Sequence, residues 1–264
     1  MKKIIFAVAG IAMLATSCMR IVVNSIVGSG EVITEKIAFR TEGLESLALS
    51  SGFDVVLDSS VEPGAVEITT YQNIMEYVEV EVDQSTLNIG MRQGNSYIDI
   101  EMLQARLAPA DFRVFAISGG VDLSSVEPLN VDGDMIFAVS GGADVDLKAK
   151  CCDLALAVSG GADVDIRELS ATNVNVAVSG GADVEMSGEC NNLSAEVSGG
   201  ADVDLGLLRA QSVVASASGG ADLEVYATAS YQLNASGAAD IEYHDIGATV
   251  KADATGAADI SPVK

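Results

Sequence analysis

The chain has 264 residues, 49% of them hydrophobic, but only 5% are aromatic and none is Trp, so its core must be built from Val, Leu, Ile and Ala. Its 38 acidic residues outnumber 14 basic ones, for a net charge of −24. Such a surface excludes nucleic acid, anionic lipid headgroups and polyanionic sugars as partners and favours cations and basic ones.

The chain opens as an address. Met1-Lys2-Lys3 is a basic start, Ile4 to Leu14 an apolar stretch, and Ala15-Thr16-Ser17-Cys18 follows. The apolar stretch is too short to span a membrane and has the layout of a secretory signal. Small residues running into a Cys resemble a bacterial lipobox, in which the chain is cut before the Cys and the Cys carries the lipid. That resemblance makes 1–17 a lipoprotein signal peptide and Cys18 the lipidation site, so the membrane is a partner through the anchor. Met19 is not the aspartate that goes with inner-membrane retention, so the outer membrane is expected, at its periplasmic face or at the cell surface. Residues 18–29 read as a tether.

Residues 30–110 read as an irregular β region. Glu31 to Phe39, Leu44 to Leu57 and Ala65 to Thr70 are rich in Val, Ile and Leu. Val78-Glu79-Val80-Glu81-Val82 alternates as a half-buried strand does. Asp83 to Thr86 reads as a turn and Leu87 to Met91 as the returning strand. Gln72 to Tyr77 is long enough for one helical turn, Tyr97 to Met102 reads as a strand, and Leu103 to Ala110 as a link. Ser51-Gly52-Phe53-Asp54-Val55 matches the order of a phrase that later becomes regular, one residue short, so repeating geometry is expected to begin there.

From 111 to 264 that phrase recurs as SGGVDL, SGGADV four times, SGGADL, SGAADI and TGAADI. Its aspartates are Asp122, Asp144, Asp163, Asp183, Asp202, Asp222, Asp240 and Asp259, separated by 22, 19, 20, 19, 20, 18 and 19 residues. A fixed period near 20 marks a stacked repeat architecture. Within one copy, Leu154, Leu156 and Val158 alternate with small residues, Ser159-Gly160-Gly161 turns the chain, and Val164 and Ile166 begin a second strand. One rung buries nothing alone; rungs stacked about 4.8 Å apart share an aliphatic core. In all eight copies Ser or Thr, Gly and Asp recur, and Val, Leu or Ile follows the Asp. The invariant Gly implies positive φ or close approach between rungs. The invariant Asp has two readings: a turn lock accepting backbone N–H bonds from its own corner, or a weak Ca²⁺ contact along a ladder of carboxylates. The phrase is similar to the nine-residue calcium repeat but lacks its fourth Gly and its period, which favours the turn lock.

Gly28-Ser29-Gly30-Glu31-Val32, Leu49 to Val55, Leu87-Asn88-Ile89 and the serial SGGAD phrases together resemble the family of putative auto-transporter adhesins with a head GIN domain, over residues 28 to 260. The resemblance implies an all-β, right-handed parallel β-helix (a solenoid) in an envelope lipoprotein, and it supplies no catalytic residues. The expected role is non-enzymatic: adhesin-like binding of a protein or glycan, or an acidic scaffold, with a homo-oligomer as a further expectation.

The rival is a polysaccharide hydrolase or lyase on a β-helix, supported by fold analogy alone. Acids that recur identically in every rung do not look like a catalytic pair, which needs its own shifted pKa values. Cys151 and Cys190 fall at the same rung position two rungs apart, too far for a disulfide. With one His and no CxxC, no metal site or resident cofactor is predicted. His244, in Glu242-Tyr243-His244-Asp245, reads as a solvated loop residue. At the end of the array, the last rung is expected to be covered by the first third folding back, or by another subunit.

Overall fold

The computed structural model describes residues 25–98 and 100–263. The signal segment and Cys18 lie outside the described residues. The described residues are nearly all-β, 67% strand and 2% helix, wound as a parallel β-helix with rungs of about 20 residues. Each regular rung contributes one strand that ends in Ser-Gly and one that starts at the Asp, for example Asp153–Gly160 and Asp163–Ser170. Successive rungs pair in parallel without slippage at the phrase. Ser140, Ser159, Ser179 and Ser198 are consecutive partners in one column, and Asp144, Asp163, Asp183 and Asp202 in another.

The alternation seen in the sequence sets which side chains go in. Leu154, Leu156, Val158, Val164 and Ile166 are all buried, as are Val174, Val176, Val178, Val184 and Met186 one rung on. The residue before each Asp is the inward side of the corner: Ala162, Ala182 and Ala221 are fully buried there. At the head of the column the core is aromatic. Phe115 and Phe137 are register partners whose rings stack 4.5 Å apart and nearly parallel, with Phe53 and Phe112 also buried.

Corner geometry explains why one glycine of each pair never changes. Gly160 has φ +101, and a Cβ there would lie 2.6 Å from the carbonyl oxygen of Gly141 in the preceding rung. Both reasons for a fixed Gly therefore hold at once. Gly161 has no positive φ, and its Cβ would make only an ordinary contact, 3.8 Å from the Gly181 carbonyl. The drift to Ala in the last copies falls at this second position, as Ala238 and Ala257.

The repeating geometry does begin before the regular array. Asp54 pairs with Asp122 and Leu49 with Ile117. The copy is not one residue short, however: with those pairs in register, Ser50-Ser51-Gly52-Phe53-Asp54 is full length and Ser51 stands at the invariant Gly position. Ser51 has φ 75, one of three positive-φ non-glycine residues among the described residues.

The remainder of the first third forms the head of the column. Ser46–Leu49 lies between Thr86–Met91 and Val114–Gly119, and Asp54–Leu57 between Leu103–Leu107 and Asp122–Ser125. Antiparallel strands finish this end: Ala65–Tyr71 pairs with both Leu103–Leu107 and Val32–Ala38, and Val78–Asp83 with Thr86–Met91. The helical turn is Gln72–Met75. Three expectations are corrected here. The strand expected over Tyr97 to Met102 is Ser96–Ile98, and the expected link contains the strand Leu103–Leu107, whose inward Leu103, Ala105 and Leu107 join the core. The first third folds over the first rung, not the last.

Candidate binding surface

Register turns small residues into a continuous floor. Among the outward side chains of the first strand of each rung, Ala and Ser recur at two positions in register. Ala48, Ala116, Ala138, Ala157 and Ala177 are successive partners, and Ser118, Ser140, Ser159, Ser179, Ser198 and Ser218 form the column beside them. Side chains this short leave space above the sheet, and a trough of about 890 Å³ runs along it. Glu79 and Glu81, from the antiparallel strand Val78–Asp83, line it at the head, and Glu196 lines it further along. None of its lining residues is Lys, Arg or aromatic. The alternation with small residues is visible in the sequence. That these residues form one strip follows only from the register.

Around the glycine corner lies the face that carries the aspartates. Asp122, Asp144, Asp163, Asp183, Asp202, Asp222, Asp240 and Asp259 form one column, extended at the head by Asp54. Two residues on, Asp146, Asp165, Glu185, Asp204, Glu224 and Glu242 form a second acidic column. All nine aspartates of the first column are exposed. Among the described residues, the corner is held by main-chain bonds from rung to rung, such as Gly161 N–H to Gly141 O at 2.9 Å and Asp163 N–H to Ala143 O at 3.0 Å. No carboxylate of that column accepts a backbone N–H from its own corner among the hydrogen bonds found there.

Like charges stacked at this spacing repel. Partial burial and then the neighbouring Asp144 and Asp54 push the Asp122 carboxyl up from its ordinary value. Burial and then Asp183, Asp222 and Asp204 do the same to Asp202. Among the described residues, Lys and Arg relieve the face only around two adjacent rungs. Arg167 pairs with Asp146 and with Asp165, and Lys148 with Glu168. Among the described residues, no three His, Cys, Asp or Glu side chains are grouped to hold a metal ion.

The remaining candidates are placed as follows. His244 is half-buried, and its Nε2 lies 2.8 Å from Glu224 Oε1; the Tyr226 ring meets it edge-on at 4.9 Å. His244 does lie in a loop, as expected, but it is half-buried rather than solvated: a carboxylate of the second acidic column, twenty residues upstream, reaches it across the rungs. Cys151, Cys152 and Cys190 are free thiols. Burial pushes Cys151 up to about 12 and Cys190 to about 11. Near the head, Asp58 accepts the Ser60 N–H at 2.8 Å and pairs with Arg106 at 2.5 Å. Ser60 first, and then Arg106, hold its carboxyl down at about 2.

The comparisons agree with this geometry. The profile of the family described as putative auto-transporter adhesin, head GIN domain, matches residues 43–245. Among solved structures, a putative adhesin from Parabacteroides merdae is 16% identical with a TM-score of 0.82. A putative lipid binding protein from Parabacteroides distasonis is 18% identical at 0.81, and a putative adhesin from the same organism 20% identical at 0.80. Each comparison covers 91% of this chain and 100% of the other, and at such identities the likeness is one of fold. No curated protein matches the chain. Because the family profile spans more than half of it, the chain belongs to the putative auto-transporter adhesin, head GIN domain family.

Proposed function

We propose that the protein is an exported, non-enzymatic lipoprotein, anchored through Cys18 at the outer membrane, that binds an extended, basic segment of a protein partner along the trough. One observation carries this reading: a long floor rich in Ala and Ser, with Glu79 and Glu81 at its head, Glu196 in the Ala column itself, and no basic group among its lining residues. The small floor admits a chain lying flat. Glu79, Glu81 and Glu196 favour a cationic one, and the overall charge of −24 draws it in. The lack of aromatic platforms in the trough weighs against a sugar as occupant. The family's adhesin description accords with a binding role.

Panning a random peptide library against the protein tests the reading, with a glycan array run in parallel. Basic sequences are expected to be enriched. Their binding should fall with added salt and disappear when Ala157→Arg and Ala177→Arg fill the floor. Enrichment that survives the filled trough, or retention of neutral glycans instead, contradicts it. Incorporation of labelled palmitate, lost in Cys18→Ala, tests the anchor separately.

A further inference from the structure

The two ends of the column differ. The head is finished by antiparallel strands, whereas the first strand of the last rung, Thr249–Gly256, has all eight residues exposed. Its strand partner is Ser230–Gly237 of the preceding rung, and among the described residues its other edge pairs with nothing. The inward side chains are uncovered as a result. Val250 is 37% exposed, while its register partner Tyr231 is 3% exposed. Ala252 and Ala254 are exposed where their partners Leu233 and Ala235 are buried.

We propose that this edge pairs antiparallel with the same edge of a second copy, about a two-fold axis through Ala252. The strand reads Thr249-Val250-Lys251-Ala252-Asp253-Ala254-Thr255, and that order is self-complementary in one register. Centred on Ala252, Val250 faces the partner's Ala254, Ala252 faces its twin, and Thr249 faces the partner's Thr255. On the outward face, Lys251 meets the partner's Asp253, and the same pair recurs on the other side of the axis. Residues directly opposite in an antiparallel pair share a face, so the inward side chains of both copies form one continuous core while the two ion pairs lie outside.

Charge supports the assignment. Lys251 is the single Lys or Arg between Ala210 and Val263, in a chain with 38 acids, and it makes no ion pair among the described residues. Its column is otherwise uncharged: Ala155, Asn175, Ser194, Val214 and Gln232 precede it in register. A lone Lys on an edge strand is also a device against edge pairing. That role and this one give opposite results on removal of the charge. Because the contact is isologous about a two-fold axis, each copy's edge is used up in it, and it stops at a dimer instead of propagating into a fibre.

Sedimentation velocity of the full chain over a range of concentrations tests the proposal. The wild type is expected to show a monomer–dimer equilibrium. Lys251→Asp and Asp253→Lys each place like charges opposite each other at both pairs, and should weaken association roughly tenfold or more. An equimolar mixture of these two variants restores all the pairs and should form a heterodimer. Lys251→Ala should associate less tightly than the wild type. The side chains are exposed, so circular dichroism should show every variant folded. A wild type that stays monomeric, single variants that associate as it does, a mixture that does not associate, or a Lys251→Ala variant that associates more tightly would each overturn the proposal.

Discussion

A side chain on Gly160 has no place to go: its Cβ would lie 2.6 Å from the Gly141 carbonyl oxygen, on a backbone already at φ +101. This contact recurs at the corners from Gly141 to Gly256 and sets how closely those rungs approach. Gly160→Ala is expected to destabilise the fold by about 2–4 kcal/mol, from positive-φ strain together with a backbone clash. Gly161→Ala, one residue on, should stay within about 0.5 kcal/mol of the wild type. Urea unfolding of the pair measures the difference, and equal losses would contradict the corner geometry.

Two sets of carboxylates pull stability in opposite directions with pH. Asp122 and Asp202 have raised pKa values in the fold, so protonation favours the folded state there. Their contribution is complete below the ordinary carboxylate value of 3.8 and is lost as pH rises through their folded values. Asp58 is held at about 2, so its contribution is present above 3.8 and is lost as pH falls from there through about 2. Thermal unfolding should therefore show Tm rising from pH 7 into the mildly acid range and falling again below pH 3.8. Added monovalent salt at pH 7 should raise Tm by screening the ladder. A Tm that only falls on acidification would contradict the repulsive ladder.

The thiols divide by exposure. Cys151 and Cys190 have thiolates made costly by burial, while Cys152 is exposed. Alkylation of the folded protein at pH 8 is expected to label Cys152 first and to leave the other two until the rungs open. Mass spectrometry of the labelled peptides reads the order, and early labelling of Cys190 would place it elsewhere.

A stacked column frays from its uncovered end. Amide exchange should be fastest in Thr249–Gly256 and Asp259–Pro262. It should be slower in the middle rungs and at the aromatic head, where Phe115 and Phe137 stack. Removing one of these rings, in Phe137→Ala, should cost about 3–5 kcal/mol. If the proposed dimer forms, the same last strands become protected as the protein concentration rises.

Much of the column is legible in the sequence because it depends on spacing. A 20-residue period and a two-residue alternation together assign Leu154, Leu156, Val158, Val164 and Ile166 to the core. What depends on contacts between distant segments is not legible. Ser51 occupies a glycine position, so the first copy looks one residue short until Asp54 is set beside Asp122. Leu103–Leu107 carries no corner phrase, yet it stacks on Asp54–Leu57 at the head. His244 shows no sequence sign of Glu224, since only the rung stacking brings them together. The invariance of the aspartates also misleads about hydrogen bonding. An Asp repeated at every corner suggests a lock on that corner, but parallel main-chain bonds hold the corners and the carboxylates face water.

The register of the rungs is the claim on which the trough, the acidic face and the paired ends all rest. Pulsed electron resonance between spin labels at ladder positions measures it directly, in a background whose native cysteines are replaced. Labels at Asp122 and Asp222 stand five rungs apart and should give a distance near 24 Å, and labels at Asp122 and Asp259, seven rungs apart, about 34 Å. Distances that grow by one rung spacing per repeat are the expected result. Distances that do not increase in proportion to the number of intervening repeats would contradict the account.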